Sequence, residues 1–520
     1  MSFLKVMHSK AVLSLAASAL VLPAGLGAQA TTIVQADIET YYNSGMGGYV
    51  IDDGNEYLIN SALSFGTTSS GDNLIVGNNT TGSKLTIYDN EVSNYEASIG
   101  YAFGSSGTVE VTNADGNWIC HGTIYVGRGY GSTGNLIVDG YANVTGNAGV
   151  VLGNAGGTGN LSMSGRDTTL GTTFIVVGNG VAGCNGSMTL EDGAKVTTSL
   201  ASSIGKDRAT GTASLTGTWT KWESTSSINV GSYGTGTLTI EDGATVTNTT
   251  SIVGHGNSSM NGNGTVTVRG SGSSWVNSSS LVVGGYYGTG TVNIESGATV
   301  SSLYAKLGEQ SHSSGTVTVS GAGSRWTNTN YLYVGDSSSG TLNILSGGKV
   351  TSSSVSLGLS SGSTGTVLVS GNGAILDITN TLTIGSAGTS TLKIENNGLV
   401  VAGALSLQTN GSIYLKAGFL FLTGNDDEAA LDELLNAGTS IYAWNGIEYE
   451  LVTSSESALI SCAYYDHVED NDVVRSYGYN GYGTLLTSVY SVPEPATYAL
   501  FGGLGALGMA MCRRRKNASR

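Results

Sequence analysis

Apolar and polar residues alternate along most of this chain, and the alternation restarts at a regular interval. One clear copy occupies residues 281–330, and the next begins at once at Tyr331. Seven glycines that follow an apolar-x-apolar triplet recur at spacings of 50 to 53 residues: Gly77, Gly127, Gly178, Gly231, Gly284, Gly335 and Gly385. A fixed period of this kind is the signature of a repeat protein.

A second series of glycines falls midway between the first, so the true repeat is about 25 residues long. Its members are Gly100, Gly153, Gly205, Gly254, Gly308 and Gly358. Each half-repeat contains a stretch such as Val292-Asn293-Ile294 or Val317-Thr318-Val319, in which apolar and polar residues alternate. This is the period of a β-strand, and clusters of glycine, serine and threonine bound each strand. No helical pattern separates the strands.

We therefore expect an all-β protein in which residues 74–422 form a parallel β-helix, or β-solenoid, of about thirteen coils. One coil of this size cannot bury its apolar side alone, so coils have to stack. At ~4.8 Å per coil the stack would be a rod roughly 60 Å long. Val292, Ile294, Val317 and Val319 should point into its core.

The alternative architecture is a six-bladed β-propeller, since a blade can also have about fifty residues. Six units place a large apolar residue at one position: Trp118, Leu170, Trp222, Trp275, Trp326 and Leu376. The four tryptophans each lie 11 residues after a glycine at a strand start, namely Gly107, Gly211, Gly264 and Gly315. The two halves of each unit resemble each other, which favours the solenoid, because the strands of one blade need not be alike. We interpret the tryptophans as packing at a coil corner, and a sugar-stacking stripe is the alternative.

The chain divides into five predicted segments. They are a signal peptide (1–30), an N-terminal cap (31–73), the repeats (74–422), a C-terminal cap with one short helix (423–490) and a tail (491–520). The first segment has a basic start, twelve apolar residues and a small-x-small cleavage site at Ala28 and Ala30, as secretory signals do. Caps are expected because the open ends of a solenoid expose apolar side chains and strand edges. The helix is predicted over residues 424–438, where Gly438 ends an apolar stripe.

Composition and net charge exclude some classes of function. The chain has 80 glycines and only three prolines. None of the prolines lies in the repeats, where a proline would break a ladder hydrogen bond. Without residues 1–30 and the tail from Pro493, which hold seven basic and one acidic residue, 14 basic and 36 acidic residues remain, a net charge of −22. An acidic rod repels nucleic acid and anionic polysaccharide, so nucleic-acid binding is excluded.

The tail combines three elements in a fixed order. A short motif comes first: Val492, Pro493, Glu494 and Pro495. A glycine-rich apolar run of 17 residues follows over 496–512, which is at the short end of a transmembrane helix. A basic cluster, expected on the cytoplasmic side of a membrane, comes last: Arg513, Arg514, Arg515 and Lys516.

This order resembles the PEP-CTERM sorting signal of Gram-negative bacteria. The resemblance implies export, transient anchoring in the inner membrane through the C-terminal helix, and processing by an exosortase, a membrane cysteine protease. Delivery to the cell surface or to an exopolysaccharide-rich extracellular matrix would follow. The repeats are similar to PEP-CTERM-associated and autotransporter-passenger repeats, which share the text VGxxxxGTLTIxxGAxVT.

Motifs for other chemistry are isolated matches in a chain rich in glycine and serine. Ser360 lies in a nucleophile-elbow pattern without the strand and helix that the elbow requires. Asp207 belongs to the compact charged group Lys206-Asp207-Arg208. Carboxylates recur in turns every second coil, too far apart for one calcium ion: Glu191, Asp192, Glu241, Asp242 and Glu295. Two further features are considered for such chemistry. They are an acidic loop at 466–472 and four cysteines that form no CxxC pair.

We interpret these matches as turn residues and the cysteines as small buried residues, and we expect no catalytic, cofactor or metal site. The predicted function is an exported, non-enzymatic structural or adhesin-like protein of the cell surface or extracellular matrix. Its expected partners are an exosortase, extracellular polysaccharide and, transiently, the inner membrane. The alternative is a carbohydrate-binding or polysaccharide-degrading β-helix protein, because that fold also hosts such enzymes.

Overall fold

A computed structural model of the protein describes residues 31–33, 42–43, 48–59, 62–65, 72–423, 440–452, 460–465 and 483–488. In these ranges every regular element is a β-strand, and none is a helix. The predicted signal peptide (1–30), the predicted helix (424–438), the acidic loop (466–472) and the tail (491–520) lie outside the described residues.

The strands form a parallel β-solenoid of about 15 turns. One turn consists of three strands, for example Thr235–Glu241, Thr245–Asn248 and Ser251–His255. Each strand pairs in parallel with its counterpart one turn later, so that the rod has a first, a second and a third face. The predicted solenoid is confirmed, and the propeller alternative is wrong, because residues about one repeat apart pair in parallel along the whole stack.

The strands of the first face run from one end of the rod to the other. They are Thr31–Ile33, Glu56–Ile59, Ser83–Ile87, Ser106–Val111, Thr133–Val138, Thr158–Met163, Asn185–Leu190, Thr210–Thr216, Thr235–Glu241, Gly262–Arg269, Gly288–Glu295, Ser314–Ser320, Ser339–Leu345, Thr364–Ser370, Thr389–Glu395, Gly411–Lys416 and Ser440–Trp444.

The second face begins with short separate strands. They are Leu63–Ser64, Asn90–Asn94, Gly116–Cys120, Asn143–Gly146, Thr169–Thr172, Lys195–Thr198, Lys221–Ser224, Thr245–Asn248, Ser274–Asn277 and Thr299–Ser302. The separate strands of the third face are Gly48–Ile51, Asn73–Val76, Ala97–Ile99, Thr123–Val126, Gly149–Asn154, Ile175–Asn179, Ser202–Lys206, Ile228–Ser232, Ser251–His255, Ser280–Val283 and Tyr304–Leu307.

In the last turns the second and third faces share continuous bent strands. These strands are Arg325–Val334, Lys349–Leu357, Ile375–Ile384 and Leu399–Leu407, and Phe419–Leu422 closes the second face. Antiparallel strands lie at the two ends of the rod: Tyr42–Asn43 at the N-terminal end, and Tyr449–Leu451, Ile460–Tyr465 and Gly483–Ser488 at the C-terminal end. The rod has more turns than the predicted thirteen because strands before residue 74 and after residue 422 join the parallel stacks.

Inward side chains form one continuous core cluster that reaches from Ile51 to Leu486. The four residues expected inside, Val292, Ile294, Val317 and Val319, are each 0% exposed, so that prediction is confirmed. A fully buried side chain of this kind contributes about 1.5–3 kcal/mol relative to an exposed one. Because each turn exposes its core side chains until the next turn covers them, most of this burial comes from stacking.

Glycine is required where the third face turns into the first. All thirteen repeat glycines have φ between +61° and +78°, a region that side-chain-bearing residues rarely adopt. A Cβ on Gly231 would lie 2.1 Å from the carbonyl oxygen of Asn263, and one on Gly236 would lie 2.2 Å from that of Ile204. At Gly231 and Gly236 neighbouring turns therefore approach too closely for a side chain.

The outer surface of the first face is uncharged over much of its length. Eight threonines on successive turns lie in register: Thr212, Thr237, Thr265, Thr291, Thr316, Thr341, Thr366 and Thr391. Their hydroxyl groups make no hydrogen bond within the part of the chain that the structure describes. From Thr210–Thr216 to Thr364–Ser370, charged residues occur only at strand ends, such as Glu241 and Arg269.

The stack of about 15 turns predicts an elongated particle. At ~4.8 Å per turn the solenoid would be roughly 70 Å long. Small-angle X-ray scattering of the purified chain should give the pair-distance distribution of a rod. A compact, disc-shaped particle would contradict the fold.

The glycine corner predicts a second outcome. Gly231→Ala should lower the free energy of unfolding by more than the about 1–2 kcal/mol that a left-handed alanine costs, because its Cβ also meets backbone atoms of the next turn. Gly183→Ala is the matched control, since Gly183 has φ +95° and no atom within 4 Å of its Cβ position. Urea unfolding followed by circular dichroism compares the variants, and equal midpoints would contradict the close approach.

Candidate functional site

The tryptophan series lies inside the rod. Trp118, Trp222, Trp275 and Trp326 are each 0% exposed and point inward from the second face. Packing in the interior is therefore confirmed, but the tryptophans lie within strands of the second face and not at a coil corner. The sugar-stacking alternative for these residues is wrong.

Buried polar side chains accept the indole N–H groups of three of these tryptophans. Trp275 donates to Asn248 Oδ1 at 2.9 Å, and Trp222 donates to Thr198 Oγ1 at 3.2 Å. Asn248 in turn donates to Asn277 Oδ1 at 3.0 Å on the next turn. A buried N–H left without a partner is costly, so this internal polar column stabilises three of the four buried indoles, whereas Trp326 Nε1 has no partner among the described residues. The column was not predicted from the sequence.

The carboxylates considered for calcium lie in tight surface turns. Asp192 and Asp242 each have φ +53° and are followed by a glycine with positive φ, as in a two-residue hairpin-type turn. Glu241 forms an ion pair with Arg269 of the next turn. In the ranges that the structure covers, no group of three histidine, cysteine, aspartate or glutamate residues is arranged to hold a metal ion.

The candidate nucleophile and acid are also turn residues. The N–H of Asp207, at φ +55°, donates to the carbonyl of Ser232 at 3.0 Å, and its carboxylate lies 3.8 Å from Lys206 Nζ. Ser360 lies in a loop, where its backbone carbonyl oxygen accepts a hydrogen bond from the hydroxyl group of Ser363 at 2.7 Å. The structure does not bring the two together with a base, and the expectation of no catalysis stays a prediction.

The two cysteines whose side chains are described are buried, as expected. Burial raises the pKa of the Cys120 thiol to about 12, so it is protonated and unreactive at neutral pH. The sulfur of Cys184 accepts the N–H of Gly156 at 2.9 Å.

An open groove crosses the outside of the second face. It has a volume of about 600 Å³ and is lined by Asp115, Asn117, Asn143 and Lys195 among other residues. The groove is open and polar, whereas small-molecule sites are usually enclosed and mostly apolar. It therefore does not define a small-molecule site.

Exposed aromatic rings concentrate instead at the corner between the third and first faces, which we call the aromatic corner. Phe103 and Tyr130 are 79% and 65% exposed and lie on successive turns. Their rings stack with centroids 5.9 Å apart and an angle of 10° between planes. We call these two residues the first ring pair. Single exposed apolar residues are normal, but two exposed rings side by side form a contiguous apolar patch, so the pair is a candidate contact site.

Charged and aromatic groups also lie on the third face next to this corner. The Arg128 guanidinium lies 4.2 Å from the centre of the Tyr125 ring and 5.4 Å from that of Tyr101. Arg128 also donates to Glu96 at 2.6 Å and to Ser98 at 3.0 Å. The ion pair leaves this end of the aromatic corner without net charge and fixes the arginine on its two rings.

A second group of rings lies at the same corner, and we call Tyr286, Tyr287 and His312 the second ring cluster. The Tyr287 and His312 rings stack at 4.7 Å, and Tyr286 meets Tyr287 edge-on at 4.7 Å. His255 lies one turn before Tyr286 and Tyr287. Burial lowers the pKa of its imidazole, and the Glu309 carboxylate opposes this shift in part. The sequence shows these residues only as loop aromatics, because their alignment depends on the register of the turns.

The predicted sorting residues lie outside the described ranges. These are Ala28, Ala30, Val492, Pro493, Glu494, Pro495, Arg513, Arg514, Arg515 and Lys516. Where the structure describes the chain, it contains no helix that is long and apolar enough to cross a membrane.

Comparison with known proteins identifies the tail. A family model described as the PEP-CTERM protein-sorting motif matches residues 491–516. The match covers the tail alone, so it establishes the sorting signal and not the kinship of the repeats. A search of curated proteins and a search of solved structures each found no match.

A shifted pKa often marks a functional group, but the shift at Asp52 has a structural cause. Burial alone would raise the pKa of its carboxyl group. The N–H groups of Asn79, Thr80 and Asn78 donate to Oδ1 at 2.7, 2.9 and 2.7 Å and hold the pKa below its usual value. Asp52 thereby joins the first turns of the rod.

This arrangement predicts a pH-dependent contribution to stability. Because the folded pKa of Asp52 is lowered, its contribution is complete well above the unfolded pKa of ~3.9 and is lost as the pH falls through the folded value. Asp52→Asn should therefore lower the urea midpoint of the N-terminal turns at pH 6 and should have a smaller effect at pH 2.5, because the contribution decreases as the pH falls below the unfolded pKa. Asp115→Asn, at an exposed turn, is the control. An equal effect of Asp52→Asn at both pH values would contradict the ionic hydrogen bonds.

Proposed function

Because the tail of this chain is a PEP-CTERM sorting motif, we propose that the protein is an exosortase substrate that becomes a structural rod of the cell surface or extracellular matrix. A signal peptide over residues 1–30 directs export. The apolar run at 496–512 then holds the chain in the inner membrane until the exosortase cuts near Pro493–Pro495 and releases or transfers the solenoid.

The chemistry of the tail supports this order of events. Two prolines around Glu494 disfavour regular helix or strand there, which leaves an extended segment for a protease. Four glycines weaken the short apolar run as a permanent span. Arg513 to Lys516 resist translocation and keep the motif at the outer side of the membrane.

The solenoid supports a spacer role at the surface. It grows in one dimension by stacking turns, so a long reach needs no large core. A net charge of −22 without the two terminal signals favours solubility and mutual repulsion between rods. The two residues considered for catalysis, Asp207 and Ser360, lie in separate turns of the rod, after Ser202–Lys206 and after Lys349–Leu357, which favours a structural or adhesin-like role over polysaccharide degradation.

Carbohydrate binding is the second candidate function, and the aromatic corner favours it. The first ring pair is exposed to solvent at the edge of a face whose outward positions are mostly hydroxyl groups. An adhesin-like association with exopolysaccharide would combine this surface with the structural role.

The sorting step is tested in the native host by substituting Glu494. Mass spectrometry of wild-type protein from the surface fraction should show a C-terminus near Pro493–Pro495. Glu494→Ala, and deletion of the exosortase, should leave the chain intact to Arg520 and confined to the inner-membrane fraction. Glu448→Ala, in an exposed turn of the solenoid, should behave as wild type. An intact C-terminus at Arg520 in the wild-type surface fraction would refute the proposal.

A further inference from the structure

We propose that the aromatic corner binds a neutral polysaccharide that lies along the rod, with the first ring pair and the second ring cluster as its two anchors. This inference rests on the proposed function, which places the rod among extracellular polysaccharide. It adds where on the rod the polysaccharide binds and to which chemical class the polysaccharide belongs. It is carried by three observations: the placement of the rings, the hydroxyl surface beside them, and the distribution of charge.

The two anchors lie on one line of the rod. Tyr130 lies in the loop before the first-face strand Thr133–Val138, and Tyr286 lies in the loop before Gly288–Glu295. Six parallel pairings connect these strands, so the anchors are about 29 Å apart at ~4.8 Å per turn. A ligand that contacts both has to be extended and several units long.

The rings suit the C–H surface of a sugar better than the surface of a protein. A stable protein interface needs about 800 Å² of contiguous surface on each partner, whereas each anchor consists of two or three rings between glycine and serine residues. Stacking already orders the rings, so binding loses less side-chain entropy. Phe103, at 79% exposure, presents the most accessible ring of the two anchors.

Hydroxyl groups of the first face border the rings. Thr289 and Thr291 follow Tyr287 directly in the next strand, and the threonine column continues from there along the rod in register. Threonine in a strand has restricted χ1 rotation, and these hydroxyls are unoccupied by other described groups. They can donate to and accept from the hydroxyls of a sugar chain.

The charges indicate a neutral ligand. The chain is strongly acidic, yet charged residues on the central first face are confined to strand ends. Between the anchors, the corner itself has the charged group Lys206-Asp207-Arg208, which holds both signs, with Lys206 Nζ 3.8 Å from the Asp207 carboxylate. At the first ring pair Arg128 is neutralised by Glu96 at 2.6 Å. Covering an unpaired charge would be costly, and an anionic polymer would be repelled by the acidic rod. A neutral chain avoids both costs.

Two weak anchors on a rigid rod make binding depend on ligand length. A short oligosaccharide reaches one anchor, while a polymer that spans both gains from the effective concentration of the second contact. Full-length protein in detergent is titrated with a panel of soluble neutral polymers, namely a β-1,4-glucan, a β-1,3-glucan, a galactomannan and a dextran. Polygalacturonate and alginate are the anionic probes, and the trisaccharide of the best neutral polymer is the short probe.

At least one neutral polymer should bind at least tenfold more tightly than its trisaccharide and than either anionic polymer. Phe103→Ser and Tyr286→Ser should each weaken polymer binding at least fivefold, and the double variant should reduce it to the level of the trisaccharide. Tyr141→Asn and Trp219→Asn are matched controls, because these rings are 57% and 60% exposed at the corner between the first and second faces. The controls should stay within twofold of wild type.

The proposal is overturned if no neutral polymer binds, if an anionic polymer is preferred, or if the control variants weaken binding as much as the corner variants. Unchanged binding by the double variant overturns it too. Circular dichroism and thermal unfolding establish that the variants are folded. Failure of this inference is distinct from failure of the sorting proposal, because an unbound rod would still be cut near Pro493–Pro495 and reach the surface.

Discussion

The close approach of successive turns at the corner between the third and first faces is the constraint on which the rest of the rod depends. Gly231 and its counterparts have positive φ, and the Cβ atoms that they lack would overlap carbonyl oxygens of the next turn. Only this approach allows strands on all three faces to pair in parallel and to bury valine, leucine and isoleucine in one column. Stability is therefore shared between neighbours, as in other repeat proteins.

The same constraint shapes the surface. Most turns place glycine on both sides of the corner loop, with Ser83 and Ser390 at the second position in two turns. The loop between the two positions varies in length and composition. Aromatic residues such as Phe103, Tyr130 and Tyr286 occupy these loops and align along the rod because the flanking glycines hold every turn in register. A repeat that is required for folding thus produces a line of positions at which a binding surface can form.

Much of the fold could be predicted from the sequence because the signals are local and repeated. The glycine period and the alternation around Val292 and Val317 predict the stacked strands and their inward side. The buried column of Asn248 and Asn277 could not be predicted, because polar residues at strand ends read equally well as surface positions until the turns are aligned. The aromatic corner was missed for the same reason: Tyr130 and Phe103 are 27 residues apart in the chain and meet only through the register.

The tail could be identified from sequence because its elements are contiguous, whereas the role of the rod depends on which side chains lie side by side. That arrangement depends on the stacking of turns, which distances between spin labels on the threonine column test most directly. One doubly labelled variant has labels at Thr212 and Thr316, which are four turns apart. The other has labels at Thr212 and Thr391, which are seven turns apart. Stacked turns predict backbone separations of about 19 and 34 Å. Separations that fail to grow with the number of turns would contradict the solenoid and the line of anchors built on it.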